Sequence, residues 1–148
     1  MPDAPLAAPS PAALRLGVAG LLPFVLGAVW VWTSRDAMQA QALAALAAYG
    51  AVIVSFLGGI HWGLAFRQAA PRRALLVWGV VPSLLAWAAL ALPFAPGLAW
   101  LGAALIACYL VDRRVYADEG LAAWLPLRRR LTVVASVCCF LGAAGAAL

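Results

Sequence analysis

Long apolar runs, separated by short arginine-bearing segments, constrain the fold of this chain more than any other feature of its sequence. Of the 148 residues, 67% are hydrophobic and 10% are charged, whereas about a quarter of the residues in a soluble domain are charged. So little polar surface cannot coat a water-soluble globule. Five runs meet or approach the roughly 20 helical residues that cross a bilayer core of about 30 Å. The sequence therefore predicts an all-α, polytopic membrane protein built as a five-transmembrane-helix bundle.

The predicted spans form a single membrane domain over residues 14–148. Each span must be helical, because lipid offers no hydrogen-bond partner to an unpaired backbone group. The preceding residues 1–13 are rich in proline and alanine and contain no arginine or lysine, so they lack the charged start of a signal peptide and are predicted to be a disordered leader. The spans cover about residues 14–32, 42–66, 74–92, 95–111 and 131–148.

The distribution of the arginines, which are the only basic residues apart from one histidine, predicts the orientation of the bundle. Only Arg35 falls on one side of the predicted spans. By the positive-inside rule the N-terminus is then cytoplasmic and the C-terminus lies outside. The arginines border apolar runs and form no separate soluble module, so they predict contacts with lipid headgroups and no nucleic-acid partner. The arginines on the other side are Arg15, Arg67, Arg72, Arg73, Arg113, Arg114, Arg128, Arg129 and Arg130.

Tryptophan placement follows the same boundaries, because amphipathic rings favour both membrane interfaces. Trp87 lies deeper and is predicted to pack between helices. The interfacial residues are Trp30, Trp32 and Trp100 on the outer side and Trp62, Trp78 and Trp124 on the inner side.

The second span carries the only histidine, His61, within the stretch GGIHWG at 58–63. Small residues recur every four positions along this span, which predicts a ridge for close helix packing. His61 lies two residues from Gly59 and two from Gly63, a turn of about 200° on a helix, so it points away from the ridge. An imidazole without hydrogen bonds costs on the order of several kcal/mol in hydrocarbon, so we expect a second helix or a wet cavity around it. The ridge consists of Ala47, Ala51, Ser55, Gly59 and Gly63.

Two prolines lie at a depth comparable to that of His61. Pro23 and Pro82 each remove a helix hydrogen bond and free the carbonyl four residues earlier, at Ala19 and Trp78. We expect an imidazole N–H to satisfy one of these carbonyls. The candidate ligand or proton site comprises His61, Trp62, Tyr49, Ser55, Pro23, Pro82 and Trp78.

Three interpretations of His61 stay open: a structural hydrogen bond, a ligand or proton site, and a metal or haem ligand. One histidine without a second donor gives poor support to the last, so no metal and no cofactor are predicted. Cys108, Cys138 and Cys139 lack zinc-ligand spacing and lie inside predicted spans, which favours packing roles.

No catalytic motif occurs in the sequence, such as HExxH or a phosphate-binding glycine loop. An enzyme would depend on His61, Tyr49 and Ser55, together with acidic residues of the predicted loop after the fourth span. The sequence therefore favours a protein that is not an enzyme. The loop acids are Asp112, Asp118 and Glu119.

Four stretches resemble one family of multi-pass membrane proteins. They are GLLPF (20–24), YGAVIVSFLGGIHWGLA (49–65), VVPSLLAW (80–87) and LPLRRRLTVVAS (125–136). Together they are similar to the family that includes transmembrane protein 69, also called domain of unknown function 3429. This resemblance implies a small multi-pass protein, located in the bacterial inner (plasma) membrane for bacterial members, and carries no assigned activity.

The sequence thus predicts a non-enzymatic binding or accessory component of the membrane. One alternative is a small-solute or proton-coupled transporter that uses His61 and the kinks at Pro23 and Pro82. Another is a porphyrin or lipid binder, since the span number and tryptophan content are broadly similar to those of the tryptophan-rich sensory proteins. The expected partners are the lipid bilayer and either a membrane protein or a second copy of this chain.

Overall fold

The computed structural model describes residues 8–147, and within them every regular element is a helix. A 3-10 turn at Ala122–Trp124 precedes the last helix. The α-helices are α1 (Pro11–Ala19), α2 (Leu22–Thr33), α3 (Asp36–Ala65), α4 (Arg73–Leu90), α5 (Phe94–Asp118) and α6 (Leu125–Gly145).

The first helix begins earlier than the predicted leader allows. Ser10 caps α1 by accepting a hydrogen bond from the backbone N–H of Ala13 at 3.2 Å, and Pro11 occupies the first turn. Both are favoured helix-start residues, because the cap satisfies an orphan donor and proline has no N–H to lose there. Residues 11–13 are therefore helical, and the part of the predicted leader at 1–7 lies outside the described residues.

The first predicted span is a pair of helices, α1 and α2, separated at Gly20 and Leu21. Pro23 lies in the first turn of α2, where its missing N–H breaks the helical hydrogen-bond ladder. The Tyr49 hydroxyl of α3 donates to the Gly20 carbonyl at 2.8 Å and so satisfies one backbone group at this break.

Four helical segments are long and apolar enough to cross a membrane, and α6 packs alongside them. Near its start α6 carries Arg128, Arg129 and Arg130, so the uncharged part of this helix is shorter than a bilayer-crossing helix needs. The all-helical, multi-pass architecture is thus confirmed. The four segments are Pro11–Thr33, Asp36–Ala65, Arg73–Leu90 and Phe94–Asp118.

α3 is the central helix, because it contacts α2, α4, α5 and α6. The core around it is apolar, whereas many large apolar side chains lie on the outer surface, as expected for a chain surrounded by lipid. The largest fully buried apolar side chains include Phe24, Val31, Leu46, Val54, Leu98, Leu101 and Leu105.

The prediction that Trp87 packs between helices is wrong, because this side chain is 73% exposed. α4 buries the face that carries Gly79, Pro82, Ala86 and Ala89. One residue turns a helix by about 100°, so Trp87 leaves that face although its neighbour Ala86 is buried on it.

The close approach of α3 and α4 uses Gly58, not the predicted ridge. A Cβ atom at Gly58 would overlap the carbonyl oxygen of Gly79, so the two backbones touch there. A Cβ at Gly59 or Gly63 would meet nothing within 4 Å. Ala51 is buried on the ridge, but Gly59 and Gly63 are exposed and form no helix contact within the described chain.

Candidate functional site

His61 is fully enclosed by protein near the C-terminal end of α3, with 1% of its surface exposed. Its Nδ1 atom lies 3.3 Å from the carbonyl oxygen of Leu57, one turn earlier. Its Nε2 atom lies 3.4 Å from Oδ1 of Asp112. The histidine therefore has a charged partner within the bundle.

Asp112 is in turn held by Arg128. The guanidinium donates to Asp112 Oδ2 from Nε at 3.0 Å and from a terminal nitrogen at 2.5 Å. Asp112 is 1% exposed and Arg128 is 8% exposed. We call His61, Asp112 and Arg128 the ionic network; it joins α3, α5 and α6 near one end of the bundle.

The sequence predicts that Asp112 and Arg128 lie in a loop, but in the structure both residues lie in helices. α5 continues from Phe94 to Asp118, and α6 begins at Leu125. A charged residue lowers the local hydropathy and so ends a predicted span, but it does not interrupt the backbone hydrogen bonds of the helix. A buried charge is tolerated because its partner compensates it.

The predicted bond between His61 and a proline-freed carbonyl is absent among the described residues. Tyr49 binds at the first helix break, at Gly20, and Pro82 is buried against Gly58. His61 instead faces Asp112 on α5.

The remaining predicted site residues lie apart from the ionic network. Trp62 is 40% exposed, and its indole N–H donates to the Leu76 carbonyl at 2.9 Å. Trp78 is half-buried, and its indole nitrogen is a buried atom without a hydrogen-bond partner. Ser55 is half-buried on α3. Of the predicted set, only His61 enters the network.

Residues one turn from Asp112 and Arg128 complete the polar surroundings. Cys108 and Tyr116 flank Asp112 on α5, and the Tyr116 side chain interacts with the Arg128 guanidinium. Thr132 and Ser136 continue the Arg128 face of α6; both are buried, and both hydroxyl oxygens lack a hydrogen-bond partner. Sequence reasoning missed this group, although the four-residue spacing on two helices was a signal for it.

A cavity of about 400 Å³ lies beside the network, between the kinked α1–α2 pair, α3 and α6. Its walls are almost entirely apolar, for example at Phe24, Ile60 and Leu131. Arg128, Tyr116 and Thr132 also belong to the lining, although the Thr132 hydroxyl oxygen itself is buried. His61 and Asp112 lie behind Arg128 and do not line the cavity.

Charge is balanced within the network when His61 is neutral, because one aspartate faces one arginine. His61 Nε2 and Asp112 Oδ1 face each other, yet neither atom has a hydrogen-bond partner. The ionic network is therefore incompletely hydrogen-bonded. Within residues 8–147, no three His, Cys, Asp or Glu side chains are grouped to hold a metal ion.

Comparison with known proteins places the chain in one group. A family model described as "Protein of unknown function (DUF3429)" matches residues 9–144. Transmembrane protein 69 of Xenopus tropicalis is 44% identical over 86 residues, which cover 56% of this chain and 33% of that protein. Transmembrane protein 69 of Mus musculus is 33% identical over 88 residues, which cover 57% of this chain and 35% of that protein. The chain thus spans about a third of the length of these curated relatives, and no solved structure matches it.

Proposed function

We propose a function on the premise that this chain belongs to the DUF3429 family, whose model matches most of its length. The protein is a non-enzymatic, multi-pass membrane component that binds one amphiphilic molecule in the cavity between α1–α2, α3 and α6. The apolar body of the ligand lies against Phe24, Ile60 and Leu131, and its polar end lies at Arg128. The observation that carries this proposal is the apolar cavity with its few polar atoms.

The size and lining of the cavity support a small-molecule ligand. Ligand sites are commonly clefts of about 300–1,000 Å³, mostly apolar, with a small number of placed polar groups. The cavity has about 400 Å³, and hydrocarbon placed there exchanges water for apolar protein side chains. Its lining includes Leu16 and Phe56, which are 74% and 64% exposed, so the cavity reaches the outer surface of the bundle. A ligand from the surrounding bilayer can enter there.

The network favours an amphiphile over a porphyrin. A haem or porphyrin iron requires an axial ligand such as a free imidazole. His61 is 1% exposed, faces Asp112, and does not line the cavity.

Filling the cavity tests the proposal. Gly17 lines it, and a Cβ there meets Leu127 and Leu131 side chains at ordinary distances of 3.5–3.6 Å, so a larger side chain projects into the space. We expect Gly17→Leu to weaken binding of a diazirine-bearing monoacylglycerol by about tenfold or more, which corresponds to roughly 1.4 kcal/mol. The measurement is saturable photolabelling of the purified full chain, with the labelled peptides mapped by mass spectrometry.

The matched control is Gly59→Leu, because a side chain at this position meets nothing within 4 Å. This variant adds the same apolar volume outside the cavity and should label like the wild type. Labelling that does not saturate, or that falls equally in both variants, would exclude the cavity as a ligand site.

We also propose that the network end of the bundle faces the cytoplasm of a bacterial inner membrane. All arginines except Arg35 belong to the predicted segments at the end that carries His61, which the positive-inside rule assigns to the cytoplasm. A periplasmic reporter fused after residue 148 is then expected to be active and a cytoplasmic reporter inactive. The opposite pattern at that fusion would overturn the orientation.

A further inference from the structure

We propose that the ligand of the cavity is an anionic amphiphile, and that its binding is coupled to the uptake of one proton by His61. This inference rests on the proposed function and adds the charge of the ligand and a proton linkage to it. Two independent features carry it: the unpartnered atoms between His61 and Asp112, and the position of Arg128 at both the network and the cavity.

The first feature concerns the two ring nitrogens of His61. Nδ1 faces the Leu57 carbonyl at 3.3 Å, and Nε2 faces Asp112 Oδ1 at 3.4 Å. A neutral imidazole has one N–H, so it can donate to only one of these two acceptors. With the proton on Nδ1, no proton lies between Nε2 and Oδ1; with the proton on Nε2, the lone pair of Nδ1 faces the Leu57 carbonyl oxygen. The imidazolium ion donates to both acceptors, so a single added proton removes both mismatches.

The second feature, the position of Arg128, matters because of the charge that this proton would bring. With neutral His61, the carboxylate of Asp112 and the guanidinium of Arg128 cancel. Protonation leaves one net positive charge among side chains that are at most 8% exposed, and an uncompensated buried charge is costly. An anionic group at Arg128 compensates that charge. Anion and proton therefore bind more favourably together than either does alone.

The cavity supplies the place for the anion. Arg128 lines it and, among residues 8–147, is the only charged residue that does. Thr132, one turn further along α6, also lines it, but its hydroxyl oxygen is buried and does not face the cavity. A guanidinium suits a carboxylate or phosphate oxygen. The apolar walls accept the attached chain.

No other titratable group near His61 replaces Asp112 in this role. α5 presents Cys108, Asp112 and Tyr116 on one face, and α6 presents Arg128. α2 contains no titratable residue, and α4 contains only Arg73, at its first position. Asp112 is thus the single carboxylate facing the imidazole from the helices packed around it.

The linkage has a definite sign. Binding that takes up a proton becomes tighter as the pH falls, by up to about tenfold per pH unit while the free site is unprotonated and the occupied site is protonated. A ligand without charge offers nothing to compensate the protonated histidine, so its affinity stays constant over the same range.

The test compares two probes with the same acyl chain, lysophosphatidylglycerol and monoacylglycerol, on the delipidated full chain in nonionic detergent. The phosphodiester keeps its charge throughout the measurement, so proton uptake reports on the protein. Calorimetry in two buffers of different ionisation enthalpy is expected to give about one proton taken up per lysophosphatidylglycerol and none per monoacylglycerol. A fatty acid forms a third arm, which distinguishes a free carboxylate from a lipid phosphate as the natural source of the anion.

His61→Gln is the matched variant, since an amide donates to Asp112 without accepting a proton. It should bind lysophosphatidylglycerol with no proton uptake and no pH dependence. Binding of both probes by the wild type without proton uptake, or equal uptake in His61→Gln, would overturn the inference while leaving the proposed function intact. Failure of both probes to bind would instead refute the proposed function.

Discussion

Asp112→Asn is expected to lower the free energy of unfolding by about 3–5 kcal/mol, the usual cost of removing one partner from a buried ion pair. The substitution leaves the Arg128 guanidinium, which is 8% exposed, without its carboxylate. It also removes the charge that faces His61 Nε2 at 3.4 Å. Thermal or SDS-induced unfolding in detergent measures the loss, as an earlier transition followed by circular dichroism.

Asp118→Asn provides a control on the same helix. Asp118 is 66% exposed and lies 4.0 Å from Arg72, so this exposed ion pair is expected to contribute less than about 1 kcal/mol. The double variant Asp112→Leu with Arg128→Met removes both charges and should regain most of the stability, because well-packed apolar residues often replace a buried pair at little cost. Equal unfolding of Asp112→Asn and Asp118→Asn would contradict the network described here.

Gly58→Leu is expected to cost about 1–3 kcal/mol or more, because overpacking forces neighbouring backbone apart. A Cβ atom at Gly58 would overlap the Gly79 carbonyl oxygen, and a carbonyl in a helix cannot rotate away as a side chain can. The α3–α4 contact must then open along its length. The readout is the midpoint of thermal unfolding of the purified protein.

Gly59→Leu serves as the comparison, since it places the same side chain one residue later where nothing lies within 4 Å. Both variants lose a helical glycine, so their difference isolates the contact with α4. An unchanged midpoint for Gly58→Leu, or equal losses in the two variants, would show that α3 and α4 do not touch at this glycine.

Some of the site followed from helical period alone. The small-residue spacing placed His61 opposite Gly59 and Gly63, and His61 does lie on the face of α3 that meets α5 and α6. The same spacing was misleading for the glycines themselves. In a chain so rich in alanine, small residues recur every four positions on more than one face, and sequence cannot tell which of two adjacent glycines meets a neighbouring backbone.

The network was missed for a different reason. Asp112 and Arg128 were assigned to a loop because hydropathy, averaged along the chain, falls at every charge. Averaging of this kind is blind to a partner on another helix, and Asp112 and Arg128 neutralise each other only after α5 and α6 are side by side. On α5, Asp112 shares a face with Cys108 and Tyr116, and on α6, Arg128 shares a face with Thr132. The sequence shows these faces only as a weak four-residue spacing.

The sequence by itself determined that this chain is an all-helical, multi-pass membrane protein, because its apolar runs are too long for a soluble core and lipid forces each backbone to satisfy its own hydrogen bonds. The tertiary structure alone decided which helix faces meet. It brought His61, Asp112 and Arg128 together from three helices and left an apolar cavity beside them. Helix pairing depends on packing contacts between residues that lie far apart along the chain. A hydropathy profile describes each segment separately and contains no information about these contacts.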